Sequence, residues 1–242
     1  MSNPPKIDRK TLKTPDQFIR RGQTTLGFLV QQRNRYIPVA IVAVIGICGY
    51  YGYDWWAGRK LDKGWRLYYE ATKLSDTAKW ERFKSLYSEA PSSRPGIFAA
   101  VAVADYYYSL ARKEVQKDDS IPSASAVSAA EWYGKALEFG GLQVGEKQLL
   151  QVDRGGALEM QKKWDDALRD YEAAAGVDGE GKGWAMLNVG RVWEVKNEPE
   201  KAKQTYEKIT LEFANSEFAK QAKNYLRRMK SPLFQSVKAT NG

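Results

Sequence analysis

The sequence predicts an all-α protein: a single N-terminal transmembrane helix followed by an α-solenoid of helical hairpins. Three observations predict it. Gly155, Ala167, Tyr171 and Ala174 recur 35 residues later as Gly190, Ala202, Tyr206 and Ile209, and self-similarity at such a period marks hairpins that bury their apolar faces only by stacking. Tyr36 to Tyr53 carries no charged side chain. No segment after residue 57 sustains period-two alternation, whereas helical periodicity is strong throughout.

Composition narrows the chemistry. The chain has 242 residues, 43% hydrophobic and 28% charged, enough for one sizeable soluble domain plus an anchor. It contains no histidine, which removes the commonest general base and zinc ligand, and with them serine–histidine triads and histidine metal sites. The lone cysteine, Cys48, lies inside the apolar run, so neither a disulfide framework nor a water-facing thiol site is expected. The net charge of +9 is concentrated before that run: residues 1–35 hold eight Lys/Arg against Asp8 and Asp16, a net +6 that leaves +3 for the remainder. A body so close to balance lacks the concentrated basic face of a nucleic-acid binder. Gly179-Glu-Gly-Lys-Gly183 imitates a phosphate loop but lacks the Ser/Thr after its lysine and a preceding strand. Asp165 and Asp166 open a helix, where acids favour the dipole, and read as a solvated first turn. No cofactor is expected, and binding is expected in place of catalysis.

Residues 1–35 are expected to form a basic cytoplasmic tail, and the polar, Pro-containing composition of 1–13 predicts disorder there. Thr14-Pro15-Asp16-Gln17 reads as a helix start, with Thr as N-cap, Pro at the first position and Gln closing a capping box. Phe18, Ile19, Leu26, Leu29 and Val30 then make a partial apolar stripe beside Arg20 and Arg21. Two readings fit: a short amphipathic helix lying on anionic lipid, or a docking handle for a partner.

Residues 36–56 are the expected transmembrane helix, the chain's contact with the lipid bilayer. The stretch from Tyr36 to Tyr53 rises about 27 Å as helix, just short of a hydrocarbon core, and Trp55 and Trp56 extend it. Tyr50, Tyr51, Tyr53, Trp55 and Trp56 form an aromatic belt at one end, and Arg33 and Arg35 stop the other. Pro38 falls in the first turn of the span, where a missing N–H costs little. Ile47 stands where a lipoprotein signal needs a small residue before Cys48, and no small-x-small site follows, so the span is expected to be retained. The short basic tail places the N-terminus in the cytoplasm and residues 57–242 outside. Ala40, Ala43, Gly46, Gly49 and Gly52 recur every third residue and wind around the helix, a weak signal for an oligomer.

Residues 57–232 are expected to form the helical domain and 233–242 a flexible C-terminal tail. Periodicity predicts helices over about 57–74, 76–89, 95–115, 124–139, 143–161, 164–175, 183–196, 198–213 and 216–229. The breaks are turn material: Ala90-Pro-Ser-Ser93, Asp118 to Ser123, Gly140-Gly141 and Asp178 to Gly183. Asn197 before Glu198-Pro199 reads as a further N-cap.

The spacing Gly155-x11-Ala167-x3-Tyr171-x2-Ala174 resembles a tetratricopeptide repeat, in which small residues let two helices approach and an aromatic fills the gap. Gly190-x11-Ala202-x3-Tyr206 repeats it, with Trp193 at the usual aromatic position of the first helix and Ile209 in place of the small residue. Ala129-x3-Tyr133-x2-Ala136 supplies another second helix, whose partner ends near Ala111 across a longer loop. Phe83 to Ser93 aligns with Tyr206 to Ser216 as a helix-to-helix exit like that of bacterial envelope repeats. The layout of basic tail, one span and repeat domain resembles the YfgM-like family of bacterial inner-membrane proteins, the ancillary translocon subunits. That resemblance implies a periplasmic repeat domain that binds or presents partner or client proteins beside the translocon or periplasmic chaperones.

In a repeat array the first helices line the ligand face. The outward positions then include Asp153, Glu159 and Met160 in one unit and Trp184, Leu187, Asn188, Arg191 and Glu194 in the next. This mix suits an extended peptide, whose backbone and charges need partners, although Trp184 and Met160 fit a core between hairpins equally well. Arg191→Glu is expected to weaken such binding without unfolding the domain. The rival reading is a structural assembly subunit, fixed permanently in an envelope or membrane complex with the same face buried.

Overall fold

The structure, a computed structural model, describes residues 33–231; the helix expected from Thr14 and the tail at 233–242 lie outside the described residues. Among the described residues there are nine α-helices and no strand: α1 (Arg33–Thr72), α2 (Asp76–Glu89), α3 (Arg94–Lys117), α4 (Ala124–Leu137), α5 (Val144–Met160), α6 (Trp164–Ala175), α7 (Lys182–Val195), α8 (Pro199–Glu212) and α9 (Glu217–Met229). Two units meet within α1, Met1–Lys60 and Leu61–Gly242.

In the first unit α1 starts three residues before the expected span and runs unbroken into the helix expected at 57–74, because no proline or turn pair separates them. Pro38 therefore sits in the second turn and leaves the Asn34 carbonyl without its intrahelical donor. Every side chain from Ile37 to Trp56 is exposed. Among the described residues α1 is the one helix long and apolar enough to cross a membrane.

The second unit opens with the last turns of α1, where Leu67, Tyr68 and Ala71 pack on Phe83 and Leu86 of α2 and on Ala99 and Val103 of α3. Each helix from α2 to α9 packs on the next in sequence, and α3, α5, α7 and α9 also touch one another in succession. The helix starts are chemically specified. Ser93, Ser123 and Ser216 each accept the backbone N–H three residues on, at 3.2, 3.1 and 3.1 Å, replacing a missing intrahelical acceptor at α3, α4 and α9. Gly96 in the first turn of α3 admits no side chain, since a Cβ there would lie 2.1 Å from the Ala90 carbonyl oxygen.

The 35-residue echo reappears as geometry in α5–α6 and α7–α8. A Cβ on Gly155 would meet the Tyr171 ring at 2.5 Å, and one on Gly190 would meet the Tyr206 ring at 2.4 Å. Ala167, Ala174 and Ala202 are buried, as are both tyrosine rings. The two intervening turns match as well. Lys162 and Asn197 both adopt φ of 60°, and the next N–H of each reaches back across the helix end, Lys163 to the Leu158 carbonyl at 3.0 Å and Glu198 to the Trp193 carbonyl at 2.9 Å. Asn197, expected as an N-cap, instead closes α7 in the left-handed conformation that its short carboxamide tolerates, and Glu198 takes the cap position of α8.

The loop between α6 and α7 is held by one buried side chain. The Gln148 amide donates to the Ala174 and Val177 carbonyls at 2.9 and 2.6 Å, while its oxygen accepts the Gly181 N–H at 3.2 Å. Gly179 and Gly181 lie so close that a Cβ would come within 2.2 and 2.7 Å of Gln148. Lys182 in the same loop is paired with Asp178 at 2.7 Å and with Glu212. The phosphate-loop mimic is thus a Gln-braced turn whose lysine is already engaged. Gln148→Ala strands three backbone groups in a buried site, and a loss of about 1–3 kcal/mol is expected in urea unfolding; an unchanged midpoint would refute the bracing role.

Candidate partner-binding face

The row α3–α5–α7–α9 positions every charged group expected at the binding face. Its chemistry begins with the packing tyrosines. A buried phenol needs a hydrogen-bond partner, and three of them donate from one helix to an acid on the helix before it: Tyr133 to Asp105 at 2.6 Å, Tyr171 to Glu159 at 2.7 Å and Tyr206 to Glu194 at 2.7 Å. Burial first, and then these carboxylates, push all three phenols well above their ordinary value.

The acids on α5 and α7 are also bound by the next helix in the row. Arg191 of α7 donates to both Glu159 oxygens at 2.6 and 2.5 Å and to Asn188 Oδ1 at 3.0 Å. Arg228 of α9 donates to Glu194 at 2.6 Å. Burial opposes the Arg191 charge, but the Glu159 hydrogen bonds and charge outweigh it and raise the guanidinium further. Glu159 keeps 11% of its side-chain surface and Arg191 37%. Of the positions expected to face a ligand, Glu159, Asn188 and Arg191 therefore bind one another, and Glu194 binds Tyr206 and Arg228, so that these charges join consecutive hairpins. Within the α5–α6 hairpin, Arg154 grips both oxygens of Asp170 at 2.6 and 2.5 Å.

The other expected positions divide. Leu187 is a correction: at 5% exposure it is core, packed with Ala202, Tyr206, Ile209 and Ala222, because its turn of α7 is covered by α8 and α9. Met160 is half-buried, and its carbonyl accepts the Ser123 N–H at 2.9 Å. Trp184 is 47% exposed and stands edge-on to Phe218 at 5.3 Å, so it does both jobs weighed for it, part core and part surface. Trp193 is half-buried beneath Lys196 and Lys201, at 5.7 and 4.4 Å from its ring centre.

Asp153 is the exception. It is solvent-accessible and forms no hydrogen bond or ion pair among the described residues. Desolvation by the surrounding face, and then repulsion from Asp105, raise its carboxyl to about 6. The native state thus holds this proton more tightly than the unfolded chain does. Stability is highest below the ordinary aspartate range and falls as pH rises from about 4 to about 6. Asp153→Asn removes that slope. The variant is expected to be more stable than the parent at pH 7.5, by no more than about 0.5 kcal/mol given solvent screening, and not at pH 4; thermal melts at the two pH values check it.

Sequence reasoning missed Asp105. The acid and its tyrosine lie 12 residues apart in the two regular hairpins but 28 apart here, chiefly because α3 continues past Asp105 to Lys117, and also because the Asp118–Ser123 loop is longer than the regular turns. Tyr133 was the available signal, since a buried phenol implied an acceptor on the preceding helix. Among the described residues no group of three or more His, Cys, Asp or Glu is placed to hold a metal ion. No protein-family model matches the chain, and no curated protein matches it in sequence.

Proposed function

We propose that this chain is a membrane-anchored protein-binding module, a tetratricopeptide-like α-solenoid that tethers or presents partner proteins beside the bilayer. In this reading α1 crosses the bacterial inner membrane with the N-terminus in the cytoplasm, and the helices after it lie in the periplasm, close to the translocon or its chaperones as in the YfgM-like layout. The observation that carries it is the division of labour on the α3–α5–α7–α9 face. Glu159, Arg191, Glu194 and Arg228 are consumed in joining helices, whereas Asp153 is left without a partner and costs stability. Trp184 adds an exposed ring to the same row of helices.

In-cell photocrosslinking from position 153 of the tagged full-length chain, followed by detergent purification, tests the reading. A discrete crosslinked protein from position 153 is the expected result. Equal crosslinking from position 153 and from an exposed even-helix position such as Glu172 would sink the assignment of this face. A partner recovered at fixed stoichiometry without crosslinking would favour the permanent assembly subunit over a transient binder. Protease protection in intact spheroplasts checks the orientation: digestion of residues after α1 from the outer side is expected.

A further inference from the structure

Beside Asp105 the last turns of α1, the helix α2 and the helix α3 line a cavity of about 360 Å³ that is open to solvent. Its walls are aromatic. Trp80 stacks on Tyr106 at 4.3 Å with a 21° tilt, and Tyr68 leans on Phe83 at 5.0 Å. Asp105 lines the same cavity from α3. Only one of its oxygens, Oδ1, is used, accepting the Tyr133 hydroxyl; Oδ2 has no hydrogen bond or ion pair among the described residues. Asp153 on the neighbouring α5 is near enough to Asp105 to repel it.

Two carboxylates, Asp105 in the lining and Asp153 beside it, therefore stand against a single lining cation. The one cation lining the cavity, Lys79, lies 5.0 Å from the centre of the Trp80 ring and pairs with neither carboxylate. Arg112 lies two turns further along α3, about 10 Å of helix rise away. Glu159 and Glu194 are already compensated by Arg191 and Arg228. An apolar-walled cavity ending at a half-used carboxylate matches one kind of side chain, a long aliphatic stem with a cationic head.

We propose that this cavity receives a single arginine or lysine side chain from an extended segment of the partner, with the stem against Tyr68 and Tyr106 and the charged head at Asp105, within the field of Asp153. The inference rests on the protein-binding reading above and names the chemistry of its ligand. Arginine is the better fit, because a planar guanidinium can hydrogen-bond the free Oδ2 and still stack along a ring. The partner is then selected for a basic residue in an extended stretch, not for overall charge.

The test uses the full chain in nanodiscs of neutral phosphatidylcholine, so that peptide charge finds no lipid partner. The probes are fluorescein-labelled ten-residue peptides of Gly, Ser and Ala with one central Arg, citrulline or Glu, followed by anisotropy at low salt. The Arg peptide is expected to bind about tenfold or more tightly than the citrulline peptide, which has the same shape without the charge. Asp105→Asn combined with Asp153→Asn should erase that preference while helicity is retained and the melting temperature does not fall, since the amide oxygen can still accept the Tyr133 hydroxyl. Equal binding of Arg and citrulline, preference for Glu, or a preference that survives the double substitution each overturns the cation site while leaving the peptide-binding reading intact. Binding of none of the peptides also overturns it, and the crosslinking from position 153 then decides whether the broader reading falls too.

Discussion

Gly190→Val is expected to unfold the α7–α8 hairpin or to lower the melting temperature of the helical domain by about 10 °C, and Gly155→Val to do the same at α5–α6. The reason is steric. The Tyr206 ring would lie 2.4 Å from a Cβ on Gly190, and the ring cannot retreat because it is fully buried and stacked on Tyr225 at 4.9 Å. Tyr171 is buried in the same way against Gly155. Forcing a branched side chain into such a contact costs about 3 kcal/mol or more, which in a domain of this size moves the melting temperature by about 10 °C. Gly145→Ala is the control: nothing lies within 4 Å of a Cβ there, and an alanine in the first turns of α5 should be neutral or stabilise by up to about 1 kcal/mol. Calorimetry of the three variants decides the matter. A Gly190→Val protein that melts with the parent would remove the close helix approach as the organising contact of the hairpin.

Arg191→Glu is expected to destabilise the domain, which reverses what the sequence suggested for this substitution. The change places a carboxylate against Glu159, whose two oxygens now hold the guanidinium and whose Oε1 also accepts the Tyr171 hydroxyl. Removing one member of a buried pair costs about 3–5 kcal/mol. Because Arg191 keeps 37% of its surface, screening reduces this to about 2 kcal/mol. Reversing both charges, Glu159→Arg with Arg191→Glu, should recover part of the loss, and a double-mutant cycle in urea should show a coupling of about 1 kcal/mol or more. Additive effects would mean that the pair contributes nothing to holding α5 against α7. Loss of partner binding in Arg191→Glu therefore reports on the fold, and variants at Asp105 and Asp153 are the ones that report on contact.

Much of the helical order was legible because it is written locally. Apolar spacing and turn residues located every helix of the second unit to within a few residues, and Pro91-Ser-Ser93, Gly140-Gly141 and the Asp178–Gly183 loop separate helices where turn chemistry says they should. The packing glycines were legible for the same reason, since Gly155 with Tyr171 and Gly190 with Tyr206 recur at one spacing. The candidate face was only half legible. Helical phase singled out Glu159, Glu194 and Arg191 as charges off the core, but phase carries no information about whether the neighbouring helix supplies the opposite charge. Leu187 was misplaced because α7 is covered from two sides, by α8 and by α9, which widens its buried arc beyond that of a helix packed on one partner.

By itself the sequence determined that the chain is helical, that α1 is long and apolar enough for a membrane, and that two hairpins repeat at a spacing of 35 residues. These follow from backbone propensity, hydropathy and short-range spacing, which act between residues close in the chain. Only the tertiary structure decided which charges are spent and which are left. Arg191 meets Glu159 and Arg228 meets Glu194 across more than 30 residues, and the cavity beside Asp105 needs three helices to line it. The physical reason is that electrostatic pairing and desolvation depend on distance through space, which repeat spacing constrains within a hairpin but not between one helix and whatever packs upon it.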